Sequence, residues 1–138
     1  MQNSERGVIR NRDWATQVRD FSGLRYGTIT PTDIDGLIEY KDIAFIVIET
    51  KHEGCEMPFG QRLALQRLCD ACQKAGKETL LIVASHNTEG DIDFANTKVV
   101  ETRYLFRWKE QNNGMTTKEA IDIFLNFVVS KQNTQETL

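Results

Sequence analysis

The stretch "TDIDGLIEYKDIAFIVIETKHEG", residues 32–54, decides the fold. Ile34 to Tyr40 has the composition of a β-strand, and Lys41-Asp42 predicts a turn into a second strand, Ile43 to Lys51. The second strand is almost entirely apolar and β-branched, which indicates that both of its faces are buried at the centre of a sheet. A hairpin in the first half of the chain is therefore the core of the predicted fold.

Two helices are predicted, one before this hairpin in the sequence and one after it. The first covers residues 12–21, where Asn11 supplies an N-cap and apolar residues recur with helical spacing. The second runs from about Phe59 to Lys74 and ends before Gly76, the residue type that commonly follows a helix. Together with the hairpin they indicate a sheet covered by helices.

The second half of the chain adds strands and a last helix. Thr79 to Ala84 is predicted as an apolar strand, and Val99 to Trp108 as one extended, amphipathic segment. Thr116 and Glu119 form a capping box for a final helix, and the residues after about 131 are predicted to form a polar, frayed tail. The order of elements predicts an α/β protein with a mixed central β-sheet flanked by helices, in a single domain of residues 1–138.

Composition favours a cytoplasmic protein without a membrane partner. Of the 138 residues, 40% are hydrophobic and 27% are charged, which is the balance of an ordinary globular domain. No apolar run approaches the roughly 20 residues of a membrane-spanning helix. The polar N-terminal residues lack the apolar stretch of a secretory signal.

The net charge of −3 does not by itself favour a polyanionic partner, so nucleic-acid binding needs a local basic surface. Two segments offer one: the N-terminal arginines, which include Arg12, and residues 98–109, which include Arg103 and Arg107. The aromatic residues of the second segment could stack on bases. The alternatives are a strand packed under the last helix and charged side chains that are simply solvated.

The three cysteines fit a reducing compartment without disulfides. Cys69 and Cys72 form a C-x-x-C pair, to which His52 and Cys55 could add a zinc set. However, Cys69 and Cys72 share one helical face with Leu65. Buried cysteines that pack as small hydrophobic side chains are the favoured interpretation.

Charged residues gather where the strands of the hairpin end. Side chains alternate along a strand, so Glu49 and Lys51 point to the same face. Because the hairpin is antiparallel, Asp35 returns beside Glu49. Two neighbouring carboxylates repel each other, and a hard divalent cation, Mg²⁺ or Mn²⁺, relieves this repulsion. The pattern Asp-x13-Glu-x-Lys is therefore suited to metal-dependent hydrolysis of a phosphodiester, in which Lys51 orients the attacking water or offsets developing charge.

Three further residues are candidates for the same site. Gln61 lies on the helix stripe that faces the sheet, where its amide could hold a water molecule or Lys51, and a bond to the backbone is the alternative. Asp33 shares the face of Asp35 and is a rival to it or a second metal ligand. His86 follows the third apolar strand and is either a phosphate contact or a loop residue.

Asp35, the triplet Glu49-Thr50-Lys51 after a hydrophobic strand, and Gln61 on the next helix together resemble the PD-(D/E)XK superfamily of restriction-endonuclease-like nucleases. The resemblance covers residues 12–86 and implies an αβββαβ core with Mg²⁺-dependent cleavage of DNA. It also implies that Asp35 and Glu49 bind the metal and that Lys51 is the catalytic lysine. Gln61 matches the glutamine that several branches carry on the motif helix.

The expected function is thus that of a small phage or bacterial deoxyribonuclease, of the kind that processes recombining or branched DNA. A single short domain without a specificity module favours recognition of DNA structure or ends, and it leaves open a homodimer. Cleavage of RNA and the choice between endonuclease and exonuclease also stay open. The alternative, from another class, is a nucleic-acid- or protein-binding module on the same fold with weak or no catalysis.

Overall fold

The computed structural model of the chain describes residues 7–9, 11, 13, 16–17 and 20–136. The chain divides into two units, Met1–Asp33 and Ile34–Leu138, and the single domain expected for the whole chain stays a prediction. The described part of the first unit contains a 3-10 helix, Ser22–Leu24, and an isolated antiparallel bridge between Tyr26 and Ile29. Arg12 and half of the residues of the helix predicted over residues 12–21 lie outside the described residues, and the described residues 16, 17, 20 and 21 are not helical.

The second unit is built on a five-stranded mixed sheet whose strands lie side by side in the order of the sequence. β2 and β3 are parallel, and the other neighbouring pairs are antiparallel. Two helices complete the unit. The elements are β1 (Gly36–Tyr40), β2 (Ala44–His52), α1 (Phe59–Lys74), β3 (Glu78–His86), β4 (Lys98–Tyr104), β5 (Arg107–Glu110) and α2 (Thr117–Glu136).

The hairpin predicted from the sequence is formed by β1 and β2. Both residues of the Lys41-Asp42 turn adopt the left-handed conformation, with φ of 49° and 63°, as a tight antiparallel hairpin requires. The register pairs Gly36 with Ile48. One position further out, Asp35 and Glu49 are therefore brought together, as the antiparallel arrangement predicts.

Helices cover both faces of the sheet. On one, called here the α1 face, Leu65 and Cys69 of α1 pack against Val47 and Leu81. On the opposite, α2 face, a larger cluster joins that helix to the sheet, and its buried members are Ala44, Ile46, Ile48, Leu80, Ile82, Ala84, Val99, Ala120, Phe124 and Val128. Burial on both sides explains why β2 is almost continuously apolar. The predicted α/β class, with a mixed sheet between helices, is confirmed.

The helix ends follow the predicted capping residues. α1 begins at Phe59 and ends at Lys74, and Gly76 has a φ of 94°, which favours glycine over other residues. The Glu119 N–H donates to the Thr116 hydroxyl at 3.2 Å, so one half of the predicted capping box is formed. α2 continues to Glu136 and thus includes most of the segment that was expected to be a frayed tail.

The single extended segment predicted over Val99–Trp108 is wrong, because the chain turns within it. β4 and β5 are joined at Leu105-Phe106, where φ is 50° and 66°. Such turns normally carry asparagine, aspartate or glycine, so two bulky apolar residues give no signal of a turn. The consequence is that Trp108 pairs with Arg103 and packs on the α1 face instead of under the last helix.

The αβββαβ order implied by the family resemblance is present only in part among the described residues. β1, β2, α1 and β3 follow one another as that order requires. Residues 24–30, which would have to contribute a further strand before the hairpin, form one isolated bridge instead of a ladder. No helix in the described part of the chain combines the length and the apolar character that crossing a membrane demands.

Candidate active site

Glu49 is the centre of a polar cluster on the α1 face of the sheet. Only 1% of this residue is exposed to solvent. Gln61 Nε2 donates to its Oε1 at 2.7 Å, and Lys51 Nζ lies 3.1 Å from the same oxygen. The backbone N–H of Asp35 donates to Oε2 at 3.4 Å. The structure thus brings together the four residues that the sequence marked as catalytic, and each comes from a position set by β1, β2 or α1.

The alternation of β2 explains why an acid and an amine meet here. Val47, Glu49 and Lys51 all point to the α1 face, where Val47 is part of the buried core. The Lys51 side chain is 26% exposed. Moving along the strand, the surroundings therefore change from an apolar core, through a buried carboxylate, to an ammonium group at the rim.

Gln61 reaches this cluster from the first turns of α1. It lies one helical turn before Leu65, a core residue, so its side chain also faces the sheet. The amide donates to Glu49 and not to the backbone of its own helix. Of the two interpretations drawn from the sequence, the structure favours the one in which Gln61 belongs to the site.

Asp35 is the exposed member of the cluster. Its Oδ2 accepts the backbone N–H of Thr50 at 2.9 Å, which is the one hydrogen bond to this carboxylate from the described residues. The same residue donates its own N–H to Glu49. These two bonds tie the segment before β1 to the end of β2 and hold both acids at one edge of the hairpin.

The charge balance of the cluster is unfavourable to an ionised Glu49. Burial raises the pKa of Glu49, and the negative charge of Asp35 raises it further. The hydrogen bond and the positive charge of Lys51 lower the pKa of Glu49 without cancelling the rise. A second positive charge near the two carboxylates would therefore stabilise the ionised form.

Asp35 and Glu49 are the groups of the cluster that could hold a hard divalent cation. Asp35 and Glu49 offer carboxylate oxygens of the kind that Mg²⁺ prefers, and Mg²⁺ commonly takes only one or two protein ligands. Within residues 20–136 and the other described positions, no three His, Cys, Asp or Glu side chains are placed to share an ion. Asp33 is exposed and belongs to the first unit, so its role as a further ligand stays a prediction.

A groove of about 620 Å³ lies beside the cluster, with Lys51 in its wall. It is bounded by the loop after β2, by the start of α1 and by the last two strands. Its lining carries the cations Lys51 and Arg62 but also the carboxylates Glu56, Glu101 and Glu110. The approach to the site is therefore polar, and it holds more negative groups than positive ones.

A second polar cluster lines this groove, and it includes residues that no local pattern predicts. Both terminal nitrogens of Arg62 donate to the Glu101 carboxylate, one of them at 3.0 Å. The Arg62 guanidinium also lies over the Trp108 ring, 3.8 Å from its centre. Arg62 follows Gln61 directly, but its partners come from β4 and β5, so only the tertiary structure reveals the group.

The residues predicted to contact nucleic acid are dispersed. His86 lies on the opposite sheet face from Lys51, with its ring 5.4 Å from that of His52, so the structure does not bring it to the Glu49 cluster. Arg103 is buried, and Asp70 accepts two hydrogen bonds from it at 2.9 Å, which leaves it little surface for a phosphate. Arg107 is exposed on β5, and its contact with nucleic acid stays a prediction.

The three cysteines differ in burial: Cys69 is buried, Cys72 is half-buried and Cys55 is exposed. All three are free thiols. Cys69 is part of the core beneath α1, and burial raises its pKa to about 12, so the thiol stays protonated. The preferred interpretation of the C-x-x-C pair, buried packing, is confirmed for Cys69, whereas Cys72 is only half-buried.

Comparison with known proteins adds no relative to this picture. The chain matched no protein-family model, no curated protein and no solved structure. The resemblance to PD-(D/E)XK nucleases therefore stays a prediction from the sequence motif.

Proposed function

We propose that the protein is a metal-dependent nuclease that hydrolyses phosphodiester bonds of DNA. One observation carries the proposal: the buried Glu49 carboxylate is contacted by Lys51 and Gln61 and lies next to Asp35. Burying a carboxylate whose pKa is raised reduces stability. Groups kept in such surroundings, together with a specific charged partner, occur preferentially at functional sites.

Each residue has a role that follows from its position. Asp35 and Glu49 would hold Mg²⁺ or Mn²⁺, which when bound polarises a phosphoryl oxygen as a Lewis acid. The Lys51 ammonium, at the rim of the groove, offsets negative charge that develops on the phosphoryl group. Gln61 fixes the orientation of the Glu49 carboxylate through its hydrogen bond and is therefore a positioning residue.

The restriction-endonuclease-like αβββαβ core is part of the same proposal. β1, β2, α1 and β3 correspond to the last four of its six elements. DNA of a particular structure, such as ends or branches, is the proposed substrate, and RNA presents the same phosphodiester chemistry. We also propose that the protein is cytoplasmic and acts as a homodimer.

A binding module without appreciable catalysis is the second candidate. The observation that favours it is the excess of carboxylates in the groove, where Glu56, Glu101 and Glu110 face two cations. Such a surface repels the phosphate backbone of duplex DNA. An adaptor that binds another protein or a short single strand is compatible with that charge.

Cleavage assays separate the two candidates. Supercoiled, linear, single-stranded and branched DNA would each be incubated with the protein in Mg²⁺, Mn²⁺ or EDTA. We expect metal-dependent cleavage that falls by on the order of 100-fold or more in Glu49→Ala and Lys51→Ala, the size typical of losing one group that stabilises transition-state charge. Nicking of the supercoiled circle would identify an endonuclease.

The matched control is Lys77→Ala. Lys77 also forms an ion pair, with Asp42, but at the turn end of the hairpin, away from the Glu49 cluster. This variant should keep wild-type cleavage. Cleavage that persists in EDTA, or that survives both site variants, would refute the nuclease assignment, and DNA binding without cleavage in either metal would favour the module.

A further inference from the structure

The Arg62 side chain lines the groove and is exposed enough to contact a phosphate. Its side chain is 32% exposed, and the same groove is lined by Lys51. The preceding residue, Gln61, contacts Glu49 directly. Arg62 therefore shares a groove with Lys51, the member of the Glu49 cluster that lines it.

The Glu101 carboxylate accepts hydrogen bonds from the Arg62 guanidinium in the same way as a phosphate would. Arg62 donates from both terminal nitrogens to the two oxygens of the carboxylate. The planar fork of arginine makes the same paired hydrogen bonds with carboxylates and with phosphates. A phosphate can thus replace Glu101 without any loss in the number of hydrogen bonds that Arg62 makes.

Trp108 keeps Arg62 in place independently of Glu101. The guanidinium stacks on the indole ring at 3.8 Å from its centre, and this contact does not use the hydrogen-bonding edge of the arginine. The Trp108 ring is itself fixed by a hydrogen bond from Nε1 to Gln66 at 3.0 Å. Release from Glu101 would therefore leave the arginine oriented towards the groove.

We propose, on the basis of the nuclease function above, that Arg62 binds a backbone phosphate of the DNA strand next to the scissile bond, and that Glu101 occupies Arg62 until DNA displaces it. Glu101 then acts as an internal competitor of the substrate. Its effect on binding is exerted through Arg62 alone. Specificity for DNA whose geometry delivers a phosphate to this point follows from the competition.

The structure supplies a matched control for this exchange. Arg103 and Asp70 form a second paired arginine–carboxylate bridge between β4 and α1, with two hydrogen bonds of 2.9 Å. Arg103 also lies near the Trp108 ring, 5.6 Å from its centre. Neither of these two residues lines the groove. Breaking this bridge therefore tests the structural effect of losing such a pair, including any effect transmitted through Trp108, without removing a group that lines the groove.

The experiment measures the binding of short fluorescein-labelled duplex and single-stranded DNA by anisotropy, over a series of NaCl concentrations, with EDTA or Ca²⁺. We expect Arg62→Gln to weaken binding about tenfold. It should also reduce the magnitude of the slope of log K against log[salt] by about 1, the contribution of one phosphate contact. Glu101→Gln should strengthen binding severalfold. Asp70→Asn should leave the affinity and the slope unchanged.

The double variant Arg62→Gln/Glu101→Gln tests the competition itself. Glu101 acts only through Arg62 in this proposal, so the double variant should bind like Arg62→Gln, a non-additive result. Urea unfolding of each variant shows that the fold is retained. Arg62→Lys keeps the charge but loses the fork, and intermediate binding is expected.

Several outcomes would overturn the inference. They are wild-type affinity and slope in Arg62→Gln, weaker binding in Glu101→Gln, an equal effect of Asp70→Asn, and no DNA binding by the wild-type protein. The two proposals fail separately. Metal-dependent cleavage with an inert Arg62→Gln variant removes only the role of Arg62, whereas the expected binding pattern without cleavage removes only the catalytic assignment.

Discussion

At the scale of single residues, Glu49 occupies a position that its neighbours mark as core. The residues before it in β2 are apolar and, apart from the half-buried Phe45, buried. The strand nevertheless places a carboxylate there and surrounds it with an amide, an ammonium and a backbone N–H. Replacing one polar partner of a buried charge leaves the others unpaired. The consequences of changing this residue should therefore depend on pH.

Burial and the charge of Asp35 raise the pKa of Glu49 above its ordinary value of 4.5. The folded protein thus retains a proton over a pH interval in which the unfolded chain has released it, so this group makes the free energy of unfolding fall as the pH rises through that interval. Glu49→Gln lacks the titration. In urea unfolding from about pH 4 to about pH 8, the stability of the variant relative to the wild type should increase. A difference that stays constant with pH would contradict the raised pKa.

Thr50 offers a second prediction at this scale. Its Oγ1 is buried and has no hydrogen-bond partner among the described residues, although its N–H binds Asp35. Thr50→Val removes the unpaired hydroxyl and keeps the N–H, so it should raise the free energy of unfolding by about 1 kcal/mol and leave cleavage unchanged.

Thr79 is the matched control for that variant. It is also buried, on the neighbouring strand β3, but its hydroxyl donates to the Lys77 carbonyl at 2.8 Å. Thr79→Val should therefore lower the free energy of unfolding by about 1 kcal/mol. Equal effects of the two substitutions in urea titrations would show that the Thr50 hydroxyl is also paired.

At the scale of elements, the sequence predicts best where one local rule suffices. β2 was evident from its apolar run, and α1 from its stripe and from Gly76. The β4–β5 turn was missed because Leu105 and Phe106 carry none of the residue preferences of a left-handed turn. Leu105 and Phe106 adopt a left-handed backbone conformation that is unfavourable for their residue types, so the turn is strained.

Leu105→Asn/Phe106→Gly should release that strain. Asparagine and glycine adopt the left-handed conformation readily, so the double variant should raise the free energy of unfolding by about 1 kcal/mol. The alanine pair at the same positions removes the exposed apolar side chains but keeps both Cβ atoms, so it should give no such gain. Urea or thermal unfolding measures the difference, and an equal gain in both variants would locate the effect in the side chains and not in the backbone.

At the scale of the whole molecule, the sequence anticipated a sheet between helices and the residues that meet at one end of its hairpin. It could do so because strand alternation and antiparallel pairing fix the positions of Asp35, Glu49 and Lys51 from local rules. The bridges from Arg62 to Glu101 and from Arg103 to Asp70 join α1 to β4. Nothing local specifies those contacts, because they depend on how layers far apart in the sequence are packed.

The packing of α2 against its face of the sheet can be tested with two phenylalanines of that helix. The side chain of Phe124 is buried in the core of the α2 face, whereas Phe127 is 48% exposed, and both rings contact Tyr104. Phe124→Ala should lower the free energy of unfolding by about 3–5 kcal/mol. Phe127→Ala, the matched control, should cost less than half of that because much of the ring is already in water. Similar losses in denaturant titrations would show that α2 packs differently.

The parallel pairing of β2 with β3 has a consequence for the order in which the molecule assembles. Ala44 pairs with Glu78, so this ladder can close only after the whole intervening chain, α1 included, has looped back, and such long-range closure slows folding. The β1–β2 hairpin needs no such loop. In a newly synthesised chain, Asp35 and Glu49 would thus meet early, and Gln61 would arrive later, as the helix docks.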